Sequence, residues 1–218
     1  MADTDPGFVE LDADQISGLS DEEMAWPVVD RQLRHHGAIF DTVTEAVTTP
    51  DGDRITRDWI ATKGAVGIIA LDEQDRVVLV RQYRHPVRQR LWEPPAGLLD
   101  VPGEDPVAAA ARELAEEALL AADRWTPLVE VMASPGMTDE RIQVFLARGL
   151  HPAPRPDGFV VEGEEAHMER ARVPLSSVVA AILERRVHNP ILVSGCLAAW
   201  AQLTSPEPVE GSEPDRSA

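Results

Sequence analysis

Apolar and polar positions alternate with two different periods along this chain of 218 residues. Short apolar runs rich in β-branched residues predict strands at residues 65–71, 76–83, 126–133, 141–147 and 168–173. Apolar residues at helical spacing predict helices at residues 106–119, 174–186 and 190–203. The first two strands flank a polar stretch, which predicts a hairpin. This alternation is typical of an α/β fold, so we expect a mixed sheet between helices.

The N-terminal part of the chain is rich in strands instead. Residues 36–48 alternate and contain many β-branched side chains, and residues 53–62 follow across the turn-forming sequence Thr49-Pro50-Asp51-Gly52. These runs predict a small antiparallel β-sheet. Such a sheet is too thin to be stable alone, so it must pack on the next domain or on another copy of itself.

Composition at the two ends suggests where the domains begin and end. Residues 1–25 contain eight Asp or Glu and no Lys, Arg or His, and the last fourteen residues are rich in Pro, Ser and acid. Both segments are expected to be partly disordered because they offer little apolar surface to bury. We therefore divide the chain into an acidic N-terminus, a small sheet domain, a main domain and a tail, at residues 1–25, 26–62, 63–204 and 205–218.

Charge and cysteine content limit the classes of function. The net charge of −18 argues against nucleic acid or an anionic membrane surface as a partner. Cys196 is the single cysteine, so it cannot form an intrachain disulfide, and its apolar neighbours predict a buried thiol. The sequence has neither a signal-peptide pattern nor an apolar run of membrane-spanning length, so we expect a cytoplasmic protein.

The predicted helix at residues 106–119 carries a crowded set of carboxylates. At about 100° per residue, Glu113, Glu116 and Glu117 share one arc beside the apolar arc that would face the core. Like charges at this spacing repel each other, and a bound cation would offset the repulsion. Arg112 is four residues from Glu116 and can orient it. Oxygen ligands favour Mg²⁺ or Mn²⁺, and a solvated acidic helix face is the alternative interpretation.

The order of these residues resembles the Nudix box, the signature of the Nudix hydrolase family. The matching positions are Gly97, Glu104, Arg112, Glu113, Glu116, Glu117 and Leu120. The sequence departs from the family pattern at two places. Six residues instead of five separate Gly97 from Glu104, and Leu119 stands where the pattern has a second glycine. Because glycine is the preferred left-handed C-cap, we expect the helix to end differently at Leu119.

Residues outside the box resemble the ADP-ribose pyrophosphatase subfamily. Pro135 follows Leu120 by fifteen residues and lies in the sequence Ala-Ser-Pro-Gly. The resemblance covers about residues 30–203, including the stretches 64–66, 78–84 and 92–97. It implies a Nudix α/β/α sandwich with a mixed sheet. It also implies hydrolysis of ADP-ribose to AMP and ribose 5-phosphate with Mg²⁺ or Mn²⁺ as cofactor.

The resemblance implies a role for each polar residue of the box. Glu113 and Glu117 would bind the metal directly, and Glu116 and the backbone carbonyl of Ala96 would complete the ligand set. Arg112 and Glu116 would belong to the catalytic group. Metal ions in such a site neutralise the anionic phosphate, acidify a water and hold the leaving group in line.

A catalytic base is implied in the acidic loop at residues 160–165. In the resembling enzymes such a loop follows the box and supplies the residue that aims the water. Glu162 and Glu164 are both candidates, and the sequence does not decide between them. The alternative interpretation is that the acids of this loop are solvated surface residues without a catalytic role.

Three candidate substrate-binding residues follow from the main domain. Arg84 resembles the family's diphosphate-binding arginine, and arginine suits phosphate because its guanidinium presents a fork of donors. Ser134 and Glu140 lie beside the subfamily proline and could contact the sugars or the diphosphate of the substrate.

The small N-terminal sheet is implied to join two subunits. In the resembling enzymes it swaps onto the other subunit and completes the site, which predicts a homodimer through residues 26–62. Arg57 could then reach substrate in the partner subunit, and Phe40 or its neighbour Ile39 could stack against adenine.

Three functions remain open on the sequence alone. The first is a metal-dependent ADP-ribose diphosphatase, and the second is a Nudix hydrolase of another nucleoside diphosphate derivative, such as a sugar nucleotide, dinucleotide or deoxynucleotide. The third is an inactive Nudix-fold module that only binds such a ligand. The intact pairs Arg112-Glu113 and Glu116-Glu117 argue against the third, because a binding module does not need every acid.

Overall fold

The structure is a computed structural model that describes residue 9 and residues 11–156 and 168–205. The chain divides into two compact units: residues up to Gln32 with Thr44–Arg57, and Leu33–Val43 with the residues from Asp58 onward. Within the described ranges, no helix is both long enough and apolar enough to cross a membrane.

The N-terminal part contains one short helix and three strands. They are α1 Ala13–Ser17, β1 Val28–His36, β2 Asp41–Thr48 and β3 Arg54–Ala61, and the strands form a sheet in the order β1-β2-β3. The prediction of one strand over residues 36–48 is wrong, because the chain bends before Asp41. The N–H of Gly37 donates to the carbonyl of Phe40 (3.1 Å), and His36 pairs with Asp41 (2.7 Å). These polar contacts stabilise a bend that the alternating pattern does not reveal.

The remaining strands and helices alternate along the chain, as the pattern predicts. The strands are β4 Ala65–Ala70, β5 Arg76–Arg84, β6 Gln89–Glu93, β7 Ala96–Leu98, β8 Leu120–Val131, β9 Ile142–Pro152 and β10 Glu169–Pro174. The helices are α2 Pro106–Ala118, α3 Leu175–Leu183 and α4 Pro190–Thr204. The side chain of Asn189 accepts the N–H of Leu192 (2.9 Å) and so caps α4 one residue before its first proline.

These strands form two sheets. One has the order β7-β4-β9-β8 and is mixed, because β4 and β9 run parallel while the other pairs are antiparallel. The other has the order β10-β5-β6 and is antiparallel. The predicted hairpin of β4 and β5 is therefore wrong. Both edges of β4 are taken by β7 and β9, so β5 passes into the second sheet after a single bridge between Leu71 and Val77.

Helices cover both faces of the strand layer. The core beneath α3 and α4 contains buried residues such as Ile69, Leu79, Val144, Val178, Leu192 and Cys196. The core beneath α2 contains buried residues such as Ile68, Val78, Ala110, Leu114 and Phe145. Successive residues of β4 and β5 thus serve opposite cores, which is why both strands are almost continuously apolar. The expected α/β/α sandwich with a mixed sheet is confirmed, and so is the burial of Cys196.

The C-terminal end of α2 differs from our expectation. Leu119 takes the left-handed conformation itself (φ 59°, ψ 38°), and its N–H donates to the carbonyls of Ala115 and Leu114. The helix therefore ends with the cap geometry that glycine normally supplies, and the prediction of a different ending is wrong. A side chain with a Cβ costs about 1–2 kcal/mol in this conformation. The burial of α2 against the core outweighs that cost.

Candidate active site

The acidic face of α2 borders the core instead of lying in solvent. Asp105 caps the helix by accepting the N–H groups of Val107 (2.9 Å) and Ala108 (3.3 Å). Glu113 and Glu117 are each only 9% exposed. Buried carboxylates are costly unless they are paired or bind a cation. The alternative of a solvated acidic helix face therefore does not fit these two residues.

Strand β7 approaches the acids closely enough to touch them. The N–H of Ala96 donates to Oε2 of Glu117 (3.0 Å). A Cβ on Gly97 would collide with the carboxylate of Glu113. A side chain here would force the carboxylate of Glu113 to move, so glycine permits the observed close approach of the backbone to the glutamate. The contacts bring Ala96, Glu113 and Glu117 together, as the sequence predicts.

Arg112 is bound to three of the carboxylates around it. Its Nε and Nη2 donate to the two oxygens of Glu104 (3.1 and 3.0 Å), and its Nη1 donates to Glu113 (2.5 Å). The predicted pair with Glu116 is the longest of the four bonds (3.4 Å). The bidentate bond with Glu104 thus fixes the guanidinium, and it lowers the pKa of Glu104.

The carboxyl of Glu113 has an unusual environment. Burial raises its pKa to about 7, and repulsion from Glu116 and Asp100 adds to that rise, although the charge of Arg112 opposes it. This buried acid is therefore only partly ionised at neutral pH in spite of its ion pair with Arg112. A divalent cation near the carboxylate would supply the missing charge.

The donors in this region fit a hard divalent cation. The carboxylates of Glu113, Glu116 and Glu117 and the carbonyl of Ala96 are all oxygen donors, which Mg²⁺ and Mn²⁺ prefer. Across the part of the chain that the structure describes, no three Asp, Glu, His or Cys side chains converge on one metal position. Glu113 turns toward Arg112 while Glu117 turns toward Ala96. Rotation of these side chains is needed to form the ligand set.

Arg84 lies at the end of β5 and is paired with a buried acid. Its Nε and Nη2 donate to the two oxygens of Glu93 (3.0 and 2.7 Å), and Glu93 also accepts a bond from Gln82 (3.3 Å). Glu93 is only 2% exposed. The pair fixes the direction of a half-exposed guanidinium on the side of the sheet that faces α2.

Ser134 and Glu140 lie in the loop between β8 and β9. The carbonyl of Ser134 accepts the N–H groups of Met137 and Thr138, and the N–H of Glu140 donates to the Thr138 hydroxyl (3.1 Å). Asp139 ties the loop to the residue after β3. Its Oδ1 accepts the N–H (2.8 Å) and the hydroxyl (3.1 Å) of Thr62.

The other predicted substrate residues lie in or beside the small sheet. Phe40 and Ile39 are in the bend between β1 and β2 and are 44% and 60% exposed. Arg57 is an exposed residue of β3 whose Nη1 donates to the carbonyl of Thr56 (2.9 Å).

Contacts join some of the predicted site residues, and others lie on different elements. The structure gathers Ala96, Arg112, Glu113, Glu116 and Glu117 around α2. It places Arg84 at the end of β5, and Ser134 and Glu140 in the β8–β9 loop. The two candidates for the catalytic base, Glu162 and Glu164, lie outside the described residues.

Comparison with known families shows which family this chain belongs to. The family model described as NUDIX domain matches residues 61–192, more than half of the chain. The chain belongs to the Nudix family. Residues 97–120 are its Nudix box, α2 is the Nudix helix, and the protein is a Nudix hydrolase.

Curated relatives cover most of this Nudix hydrolase. An ADP-ribose pyrophosphatase of Mycobacterium tuberculosis (strain ATCC 25618 / H37Rv) is 39% identical over 197 residues, which cover 89% of this chain and 94% of that protein. An ADP-ribose pyrophosphatase of Bacillus subtilis (strain 168) is 36% identical and covers 70% of this chain and 80% of its own length. A methanol dehydrogenase activator of Bacillus methanolicus is 31% identical with the same coverage.

The fold is shared with a solved structure. The crystal structure of an ADP compounds hydrolase superimposes with a TM-score of 0.65 and covers 84% of this chain and 97% of its own chain. Its sequence identity is 21%, so the comparison shows the fold.

Two arginines that the sequence did not single out secure the end of the Nudix helix. The Nε of Arg155 donates to the backbone carbonyl of Glu116 (3.1 Å), and the Nε of Arg170 donates to that of Glu117. These carbonyls belong to the last turn of the helix, and the two cations complement the helix dipole there. Burial and the neighbouring Arg155 lower the pKa of Arg170.

Glu93 was also missed as a site residue, although its sequence carried a signal. It is a charged residue between Trp92 and two prolines at the end of an apolar strand. A charged residue in such a buried setting is rare unless it has a partner. Arg155 and Arg170 carried no comparable signal in the hydrophobic pattern.

Proposed function

We propose that this Nudix hydrolase cleaves the pyrophosphate bond of ADP-ribose, with Mg²⁺ or Mn²⁺, to give AMP and ribose 5-phosphate. The observation that carries the proposal is the group of buried acids on the Nudix helix, with Glu117 bound to Ala96 and Glu113 fitted against Gly97. The ADP-ribose pyrophosphatase of Mycobacterium tuberculosis, which matches this chain over 94% of its own length, supports the choice of substrate. We place the reaction in the cytoplasm.

The residues of the Nudix helix would have separate roles in metal binding and positioning. Glu113, Glu116, Glu117 and the carbonyl of Ala96 would hold the cation. When bound, such a cation neutralises phosphate charge and acidifies a water. Arg112 is a positioning residue, because its bonds to Glu104 and Glu113 keep the carboxylate of Glu113 beside Gly97.

A base from the acidic segment at residues 160–165 would aim the water. Arg155 and Arg170 lie on either side of that segment, and both bind backbone carbonyls in the last turn of the Nudix helix. This arrangement supports a base that acts next to the metal ligands. Glu162 and Glu164 are the two candidates, and the activities of Glu162→Gln and Glu164→Gln decide between them.

Substrate binding would use residues outside the helix. Arg84 would contact the diphosphate, because Glu93 holds its guanidinium in a fixed direction. Ser134 and Glu140 would contact the sugars or the diphosphate from the β8–β9 loop. Phe40 would stack on adenine, and Arg57 would reach the substrate of the partner subunit.

We also propose that the protein is a homodimer joined by its N-terminal sheet. All nine residues of β1 are exposed in the single chain. They include the apolar residues Val28, Val29 and Leu33, which are 52%, 52% and 60% exposed. A row of exposed apolar side chains on an edge strand is typical of a surface that another chain covers.

The first test is release of AMP from ADP-ribose at millimolar-scale Mg²⁺, with and without EDTA, beside a panel of sugar nucleotides and dinucleotides. EDTA-sensitive AMP release that is strongest on ADP-ribose is the expected result. Turnover of a different panel member alone would reject ADP-ribose and keep the metal-dependent mechanism. Binding without turnover of any compound, with Mg²⁺ or Mn²⁺ present, would reject hydrolysis altogether.

A further inference from the structure

A second polar site lies on the opposite face of the sheet β10-β5-β6 from the Nudix helix. Glu169, Arg81 and Trp92 are register partners on the three strands, so they form one row across the sheet. Side chains that are neighbours along a strand point to opposite faces. Arg81 therefore faces α3 and α4 together with Leu79, whereas Arg84 lies on the face of the Nudix helix.

Two members of this row, Arg81 and Trp92, line a cavity of about 320 Å³. Strands β5 and β6 contribute Arg81, Arg90 and Trp92, and the connection between α3 and α4 contributes Arg186 and His188. This volume lies within the range of small-ligand pockets, roughly 300–1,000 Å³. Three arginines at one cavity are notable in a chain whose net charge is −18.

Two carboxylates of the described residues pair with these arginines. Arg90 and Arg81 share one carboxylate, Glu169, at 2.8 and 3.7 Å, and Arg186 pairs with Glu184 at 2.7 Å. Among the described residues, three guanidinium groups at the cavity are thus paired with two carboxylates.

Arg81 has a donor that the fold leaves unused. Its Nε is buried and has no hydrogen-bond partner among the described residues. Its guanidinium carbon lies 5.3 Å from the ring centroid of Trp92, within the range of a cation–π contact. A buried donor without a partner is destabilising, and a rotation of the Arg81 side chain that presents this donor to an anionic acceptor would relieve that cost.

An apolar cavity of about 250 Å³ adjoins the cationic one. The two cavities share Trp92, Arg186 and Val187, and the apolar cavity continues between Leu79 and Leu192. An occupant can therefore place a charged group among the arginines and an uncharged group beside the indole. This combination selects against a free inorganic ion and favours an organic anion.

We propose that this cavity binds a small organic anion, a phosphate or carboxylate attached to a flat apolar ring, at a site separate from the Nudix helix. The forked donors of arginine match both anions, and the tryptophan face suits the ring. The proposal concerns binding alone and does not depend on which substrate the Nudix site hydrolyses.

The test is calorimetric titration of the full chain in EDTA with phenyl phosphate and with benzoate, and with benzyl alcohol as the uncharged probe. We expect saturable binding of at least one anion and none of the alcohol. Arg186→Gln should weaken that binding by about tenfold or more, the effect of losing one charge-assisted hydrogen bond. Trp92→Phe should weaken it as well and should remove any ligand-induced change in tryptophan fluorescence.

Arg185→Gln is the matched control, because it removes the same charge from the neighbouring residue, which does not line the cavity. It should leave the dissociation constant within about twofold, since a distant surface charge contributes little. Both exchanges are at exposed positions, and circular dichroism checks that each variant is folded. Equal weakening by both arginine exchanges, loss of binding in Glu117→Gln, or no saturable binding would each overturn the proposal.

Discussion

Glu117 connects the Nudix helix to strand β7, since its carboxylate accepts the N–H of Ala96. Glu117→Gln keeps an oxygen for that bond but removes the negative charge that a cation requires. We expect kcat to fall by about a hundredfold or more, while nucleotide binding stays measurable. Steady-state assays with a binding titration measure both. Glu73→Gln, at an exposed turn position, is the control, and full activity of Glu117→Gln would refute the metal assignment.

Glu113 gives the protein a predictable response to pH. Its pKa rises from 4.5 to about 7 on folding, so the folded state holds a proton that the unfolded state has lost. Without metal, this group should stabilise the fold below about pH 4.5 and should lose that contribution as the pH rises to about 7. Because a cation needs the ionised form, stabilisation by Mg²⁺ should grow over the same range.

The measurement is the difference in Tm between the wild type and Glu113→Gln across this pH range, first in EDTA and then with Mg²⁺. Taking the difference cancels the contributions that the two proteins share. A difference that does not change with pH in EDTA would contradict the assigned pKa.

At the scale of single elements, the end of the Nudix helix offers a way to stabilise the protein. Leu119 occupies a left-handed position that glycine adopts without strain. Leu119→Gly should raise the free energy of unfolding by up to about 1 kcal/mol, because relief of strain exceeds the added freedom of the unfolded chain. Urea denaturation measures the change. Leu119→Ala, which keeps a Cβ, should bring no gain, and equal stabilisation by both variants would show that strain is not the cause.

The β8–β9 loop is attached to the end of β3 by backbone bonds to Ile60 and by one side chain, Asp139. Asp139 accepts two hydrogen bonds from Thr62, so Asp139→Ala should loosen the segment that carries Ser134 and Glu140. If these residues bind substrate, KM should rise by about tenfold, in line with the loss of one to two hydrogen bonds, while kcat changes less. Asp139→Asn keeps the accepting oxygen and should behave like the wild type. An unchanged KM in the alanine variant would remove the loop from the substrate site.

The elements that the sequence predicted well are those defined by local signals. The Nudix helix has its cap, its first proline and its apolar spacing within a few residues, and its predicted bounds agree to one residue. The pairing of β4 and β5 could not be read in this way. Both strands are apolar on both faces, and such a pattern does not say which strand occupies an edge.

The site residues that could be predicted were likewise those close together in the sequence. The acids, Arg112 and Gly97 belong to one short segment, so their order in the sequence was enough to predict their proximity. Arg155 and Arg170 bind carbonyls of residues 39 and 53 positions earlier in the chain. Neither contact follows from any local pattern, because the tertiary fold alone brings these arginines to the helix.

At the scale of the whole molecule, the N-terminal sheet makes a prediction about assembly. Leu33 is 60% exposed on β1, so Leu33→Asp should not disturb the single chain but should weaken the proposed dimer. We expect sedimentation velocity to show a shift from dimer to monomer, because burying an unpaired carboxylate at an interface costs several kcal/mol. Gln32→Asp adds the same charge at the adjacent exposed position and should have a smaller effect. A wild-type protein that sediments as a monomer would refute the proposed dimer.

The attachment of the Nudix helix to Arg155 and Arg170 also has a consequence for synthesis on the ribosome. The helix and its acids are complete once residue 120 has been added, but the arginine that binds the carbonyl of Glu117 comes fifty residues later. Strand β5 likewise lacks its partner strand β10 until that strand has been synthesised. A nascent chain therefore lacks this contact at the end of the acidic helix until Arg170 has been added, and a product that is truncated directly after the box should still lack an ordered site.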